Sequence, residues 1–405
     1  MRRFLSNASL VSLLSGLIMA SLLTAADAQT LTVLHSFTGG WDGAFPLAGL
    51  TIDATGNLYG TAVSGGTGNC GYNYAQGCGV VFRLQRHGSG WLFTSLYSFS
   101  GPDGFFPQGR VGFGPDGTLY GTTNGTPGTL FRLRPPMRAC AMALCPWSMS
   151  IVHQFSGGSD GAFPAGDLTF DAAGNIYGTT SGGGSSFEYS GYGVVYEMSG
   201  GVETVLHAFY GSDGGNPQSG VIFDAAGNLY GTAPQDGMFA PCGTVFELLP
   251  SPSGWTETLL HNFVYNNDGC MPVGGLLIDS SGSLYGTTAS GEPYRRGTIF
   301  ELTCCGWGEI ERYVFGGPQG QGPTAGLTMD AAGNLYGTTY SDGRFYAGSV
   351  FRLAADGSFS ELHAFNGSDG QYPVSNVVLD TNGNLYGTTS EGGAYGYGAV
   401  WEITP

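Results

Sequence analysis

Six aspartates stand at one recurring place in this chain, the head of Asp-Gly-x-x-Pro: Asp42, Asp103, Asp160, Asp213, Asp268 and Asp369. Carboxylates gathered on one face could hold Ca²⁺ or accept hydrogen bonds from a polar ligand. The same residues also spell an ordinary turn, in which Asp bonds nearby backbone while Gly and Pro reverse the chain. A seventh interval, Gln319-Gly320-Gln321-Gly322-Pro323, lacks the acid. No segment has the dense Asp spacing of an EF-hand loop, so a Ca²⁺ role rests on ring geometry alone. No metal ligand and no other cofactor are assigned.

His35, His153, His207, His261 and His363 also recur, each two residues before a Phe, and Tyr97 and Tyr313 take that place in the two remaining copies. A metal ligand is seldom exchanged for tyrosine, whereas a flat ring with one hydrogen-bonding edge can be, so these rings read as structural. Eight cysteines complete the reactive side chains. Cys70 and Cys78 share a segment, as do Cys140 and Cys145; Cys304 and Cys305 are adjacent; Cys242 and Cys270 are expected to pair across two loops of one face. Their spacing, without suitably placed histidines, fits disulfides rather than zinc. Tyr72, Tyr74, Tyr189, Tyr192, Tyr346 and Tyr395 stand in Gly- and Ser-rich segments. That composition suits a recognition surface, and it equally suits rings that fill gaps between repeats. There is no Ser in a nucleophile elbow with a His and Asp, no His-x-x-x-His and no nucleotide-binding loop; with no lysine in the chain, Schiff-base and Walker-type chemistry are excluded.

What positions these groups is a repeat. Gly-Asn-Leu-Tyr-Gly-Thr, or a near copy, places Tyr59, Tyr120, Tyr177, Tyr230, Tyr285, Tyr336 and Tyr386 at intervals of 61, 57, 53, 55, 51 and 50 residues. That period matches propeller blades. In the first copy Gly49–Asp53, Asn57–Thr61, Val80–Leu84 and Leu92–Phe99 each read as a short strand bounded by turn residues. Four antiparallel strands, seven times over, predict an all-β seven-bladed β-propeller. The segment Leu31–Phe37 is a surplus fourth strand, and the last repeat, ending on Ala399–Ile403, lacks one. Pairing the two would close the ring and remove two exposed sheet edges.

The run Pro-x-x-Gly-Leu-x-x-Asp-x-x-Gly-Asn-Leu-Tyr-Gly-Thr-Thr, followed by Gly-x-Val-Phe-x-Leu and Leu-His-x-Phe, resembles the GloVer tandem repeat of bacterial secreted and surface proteins, over nearly all of residues 31–405. The resemblance implies an extracytoplasmic setting and carries no catalytic residues with it. The first two strands are also similar, more distantly, to NHL-repeat and gluconolactonase-type propellers, a likeness of fold that assigns no chemistry.

Residues 1–28 read as a signal peptide: Met1-Arg2-Arg3, an apolar run from Leu10 to Leu23, and Ala26-Asp27-Ala28 before Gln29. Residues 29–405 then form one domain, secreted or held at the cell surface or in the periplasm, with no membrane insertion after cleavage. Gly makes up 73 of 405 residues, yet it falls in turns among 13% aromatics, which marks a folded chain. A net charge of −17 argues against nucleic acid as a partner. The expected function is a binding module for polysaccharide, other carbohydrate or an envelope protein. Two alternatives stand beside it: a lyase- or lactonase-like enzyme at the central funnel, and a protein-interaction scaffold. An enzyme should show unique charged residues at the funnel, whereas the symmetry breaks in this chain, Gly114 where the other copies carry the Asp of the first hairpin and Gln319 in the interval that lacks the Asp-Gly acid, are losses, which favours binding. The sequence does not speak to oligomeric state.

Overall fold

In the computed structural model the described residues are 29–70, 76–136, 147–185, 191–235, 242–264, 268–290, 296–316, 320–341 and 343–405. Residues 1–28, expected to be a signal peptide, and the positions Tyr72, Tyr74, Tyr189, Cys140, Cys145 and Gln319 lie outside them. Seven antiparallel sheets follow one another along the chain, each with the order first, second, third, outer strand, and in the third blade Ala162–Pro164 adds a fifth segment against the second strand. In the first blade these strands are Thr51–Ile52, Leu58–Ala62, Val80–His87 and Gly90–Ser98. The protein is a seven-bladed β-propeller.

Closure takes place as the surplus strand required. Thr30–Ser36 pairs antiparallel with Ala399–Thr404, so the first segment of the domain is the outer strand of the last blade. First strands are shorter than expected, two residues rather than five, because the backbone from Leu47 to Gly49 leaves the ladder to line the axis. Third and outer strands are longer, since the hairpin between them runs on to a turn at His87–Gly90.

The repeated hexapeptide has a physical basis at each position. A Cβ on Gly60 would stand 2.6 Å from the Phe82 ring, and the same clash recurs from Gly121 on Phe131 to Gly387 on Trp401. Only glycine lets the third strand's aromatic lie flat over the second. The tyrosine hydroxyl reaches back to the aspartate of the preceding hairpin, as in Tyr59 to Asp53 at 3.1 Å and Tyr336 to Asp330 at 3.0 Å. The threonine after Gly donates to the next blade's axial loop: Thr179 to the Ser219 carbonyl at 2.7 Å, Thr287 to Ala325 at 2.8 Å and, across the seam, Thr388 to Ala48 at 2.9 Å. Seven apolar clusters, each shared by two neighbouring blades, form the core; the one at the seam joins Phe37, Leu50 and Phe82 to Tyr386 and Val400. Stability therefore resides between blades, as radial stacking demands.

Candidate functional site

The loops from each outer strand to the next first strand gather on one face with the segments that follow the second strands, joined by backbone bridges such as Ala44 to Ser64, Cys270 to Ser290 and Gln371 to Glu391. In every one of these loops the residue before Pro adopts a left-handed conformation: Phe45, Phe106, Phe163, Asn216, Met271, Gly322 and Tyr372 have φ between 56° and 62°. Six of them are not glycine, a strain the surroundings must hold in place. They do so by hydrogen bonds on both sides. The Phe45 amide donates to the Tyr397 carbonyl at 2.9 Å while its own carbonyl accepts from Val63, and Met271 repeats this with Cys242 and Ala289.

The two recurring motifs turn out to be halves of one device. Asp42, Asp213, Asp268 and Asp369 accept from the Nε2 edge of His35, His207, His261 and His363 at 3.1, 2.9, 2.7 and 2.9 Å. Asp103 accepts from the Tyr97 hydroxyl instead, which is how tyrosine substitutes for histidine. Each aspartate also accepts a backbone amide of its own loop, from Thr38, Ser100, Ser156, Tyr210, Val264 and Asn366 respectively down the chain. The six carboxylates are thus turned toward their own loops. Burial pushes the His35 imidazole below its ordinary value despite Asp42 beside it. For Asp369 burial acts upward, but the bonds from His363 and the Asn366 amide hold the carboxyl below the usual range.

Of the tyrosines, Tyr346 and Tyr395 are well exposed at 74% and 61%. Tyr192 is less so, because its ring lies across Gly211 and Gly215, where a Cβ would come within 3.0 Å of it. Tyr397 covers Gly39 in the same way. Exposed Trp41 and Tyr210, in the Asp-bearing loops, join this face. Disulfides join Cys70 to Cys78, Cys304 to Cys305 and, between neighbouring blades as expected, Cys242 to Cys270.

At the axis the residues after each Pro enclose a cavity of about 330 Å³. Small residues two places after Pro let adjacent loops touch: a Cβ on Gly166 would meet the Gly220 amide at 2.5 Å. Three places after Pro, four repeats carry Gly49, Gly220, Gly275 and Gly326, and the other three carry Arg110, Asp167 and Asn376. Arg110 and Asp167, each about one-third exposed, pair at 2.8 Å. The Asn376 carboxamide oxygen accepts from the Gly326 amide at 2.6 Å. Gln108 and Gln218 add further amide edges. Among the described lining residues Arg110 and Asp167 are the ionisable ones. Sequence reasoning missed this trio, although aligning the seven repeats on Pro-x-x-Gly exposes it at once.

A model of the Gloeobacter/Verrucomicrobia repeat matches residues 128–306 and 222–405. The chain belongs to this repeat family. No curated protein matches the sequence. Among solved structures, the repeat protein is similar to the extracellular domain of a hybrid two-component system protein of B. thetaiotaomicron, with a TM-score of 0.56 at 11% identity over 92% of this chain and 39% of that one. It spans about two-fifths of that extracellular domain. A candidate 6-phosphogluconolactonase of Bacteroides uniformis aligns with a TM-score of 0.50 at 12% identity, over 84% and 88% of the two chains. A gluconolactonase of Xanthomonas campestris aligns with a TM-score of 0.45 at 16% identity, over 80% and 89%. At identities of 11% and 12%, what the first two share with this chain is the fold alone.

Proposed function

We propose that this repeat protein is an exported binding module whose axial funnel takes a small polar ligand of the carbohydrate class. The observation that carries the reading is the departure from seven-fold repetition at the axis, where Arg110, Asp167 and Asn376 replace glycine. A guanidinium, a carboxylate and carboxamides in one cavity supply planar donors and acceptors of the kind that grip vicinal hydroxyls. A volume of about 330 Å³ lies at the lower end of small-ligand pockets and suits one or two sugar rings. The exposed rings of Trp41, Tyr210, Tyr346 and Tyr395 on the loop face could extend the contact to a chain of sugars by stacking. Export is supported by the leader-like residues 1–28 and by the disulfides.

The enzyme reading gains one observation, because a unique charged pair at the funnel is what a catalytic propeller needs. Chemistry weighs against it. Acid–base catalysis calls for two groups that exchange protons, and the guanidinium does not deprotonate while Asp167 is already engaged with it. The test is retention on a glycan array by the disulfide-intact protein and by Arg110→Gly and Asp167→Gly, which restore the residue of four other repeats. Loss of a specific signal in both variants supports the funnel. Retention that survives both but is lost in Tyr346→Ala with Tyr395→Ala moves binding to the rim, and no retention by the parent ends the carbohydrate reading.

A further inference from the structure

Each His or Tyr of the outer strand faces a residue on the outer strand of the following blade. Phe93 stacks on His35 with centroids 4.2 Å apart, and Phe359 stacks on Tyr313 at 4.3 Å. In register that position is opposite Leu84, Leu133, Met198, Leu248, Leu302 and Leu353, and it holds Phe93, Met149, Glu203, Glu257, Glu309 and Phe359. Apolar packing on a ring is the plain solution. A buried glutamate there is not.

At the interface of the second and third blades the arrangement differs from the other His–Asp copies. His153 Nε2 stands 3.5 Å from Asp160 Oδ2 and 3.7 Å from Glu203 Oε2, so the direct bond found at 2.7–3.1 Å in the other four is open. His153 Nε2 is buried with no hydrogen-bond partner. The Glu203 side chain is only 10% exposed, and its Oε1 is likewise unpartnered. Ligand atoms of all three lie within 4.8 Å of one another. A tetrahedral ion with bonds of about 2.0–2.1 Å needs ligand atoms roughly 3.4 Å apart, within a few tenths of an ångström of the two spacings seen. Ser156 donates its amide at 2.7 Å and its hydroxyl to Asp160, orienting that carboxylate as an outer shell does.

We propose that His153, Asp160 and Glu203 form a binding site for a divalent transition-metal ion, with Zn²⁺ as the best match. One imidazole and two carboxylates are a Zn²⁺ donor set, and their charge of −2 is neutralised by the ion. The fourth corner is left for water. The site ties two neighbouring outer strands together and lies apart from the axial residues, so it stands or falls independently of the carbohydrate reading.

The test uses the full domain, stripped with a chelator and titrated with Zn²⁺ by calorimetry, and with Co²⁺ as a spectroscopic probe of tetrahedral ligation. The parent should take one tight equivalent and melt at a higher temperature with the ion than without. Glu203→Met and His153→Tyr install the residues that other blades carry at these positions, Met149 and Tyr97, so both should fold; each should weaken binding by about 100-fold or more. Glu203→Gln keeps the shape if Met does not pack. His207→Tyr, at an interface whose His–Asp bond is already made, should leave the tight equivalent unchanged. No tight equivalent in the parent, or affinity unaltered in the Glu203 and His153 variants, overturns the proposal.

Discussion

If the ring is closed by its first strand, then Phe37 must matter as much as any core phenylalanine within a single continuous blade. Phe37 has no exposed surface, its amide donates to the Gly398 carbonyl at 3.0 Å, and its ring meets Phe82 edge-on at 5.3 Å. Phe263 is the equivalent residue of the fourth blade, 1% exposed and 5.1 Å from Phe300. Truncating a buried Phe to Ala removes its transfer free energy and leaves a cavity, a loss of about 3–5 kcal/mol. The two sites differ in one respect: the strand before Phe263 is joined to its partner by a hairpin, whereas Thr30–Ser36 is held to Ala399–Thr404 by pairing alone. A detached strand limits the loss to its docking free energy. If the strand closes the ring, its docking free energy exceeds that loss, and we expect Phe37→Ala and Phe263→Ala to lower urea stability equally, within about 1 kcal/mol, at unchanged m-value. Amides of Ala399–Thr404 should exchange as slowly as those of Thr244–Ser251 in the parent. A loss below about 1 kcal/mol for Phe37→Ala beside a full loss for Phe263→Ala would refute closure by this strand.

Three further outcomes follow from the same geometry. In Asp53, Asp171, Asp224, Asp279, Asp330 and Asp380 burial acts upward on the carboxyl, but hydrogen bonds from the following hairpin residues outweigh it and hold each below the usual value. Their folded pKa lies under the unfolded one, so their stabilisation is complete above about pH 4 and is lost as pH falls through the folded values; acid titration of the unfolding midpoint should show this, and Asp224→Asn with Asp279→Asn should flatten it. Replacing Cys242 and Cys270 by Ser should cost about 2–4 kcal/mol, seen as a lower melting temperature that reducing agent no longer changes through this link. Arg86 Nη2 lies 2.7 Å from Glu402, whose side chain is 8% exposed and also accepts from the Tyr386 hydroxyl at 2.9 Å. Arg86→Leu should cost about 1–2 kcal/mol in denaturant unfolding, tempered by the 56% exposure of the arginine, and Glu402→Gln in the same chain should recover most of it.

Much of the fold was legible because every element of it is local and repeated. Asp53-Ala54-Thr55-Gly56-Asn57 makes its hairpin from its own side chains, with Asp53 accepting from the Thr55 and Asn57 amides at 2.8 and 3.0 Å. Seven copies at blade spacing then leave one architecture that buries both faces of each sheet. The candidate site was less legible. His35 and Asp42 belong to two motifs read separately, and only the fold of the loop between them shows that they are one hydrogen-bonded pair. Tyr97 with Asp103 follows the same rule, which explains an exchange that sequence alone could only register.

The sequence by itself determined the blade count, the strand content of each blade and the surplus strand that closes the ring, since each follows from short-range pattern or from counting; the pairing of Cys242 with Cys270 was expected only because the propeller places their loops on one face. The tertiary structure decided which side chains converge. Arg110 and Asp167 stand 57 residues apart and meet because successive blades bring the same loop position to the axis. Glu203 reaches His153 because outer strands of adjacent blades lie side by side. Such contacts depend on the rotation between blades and on which face of a strand points inward, quantities set by the packing of the whole ring rather than by any one repeat.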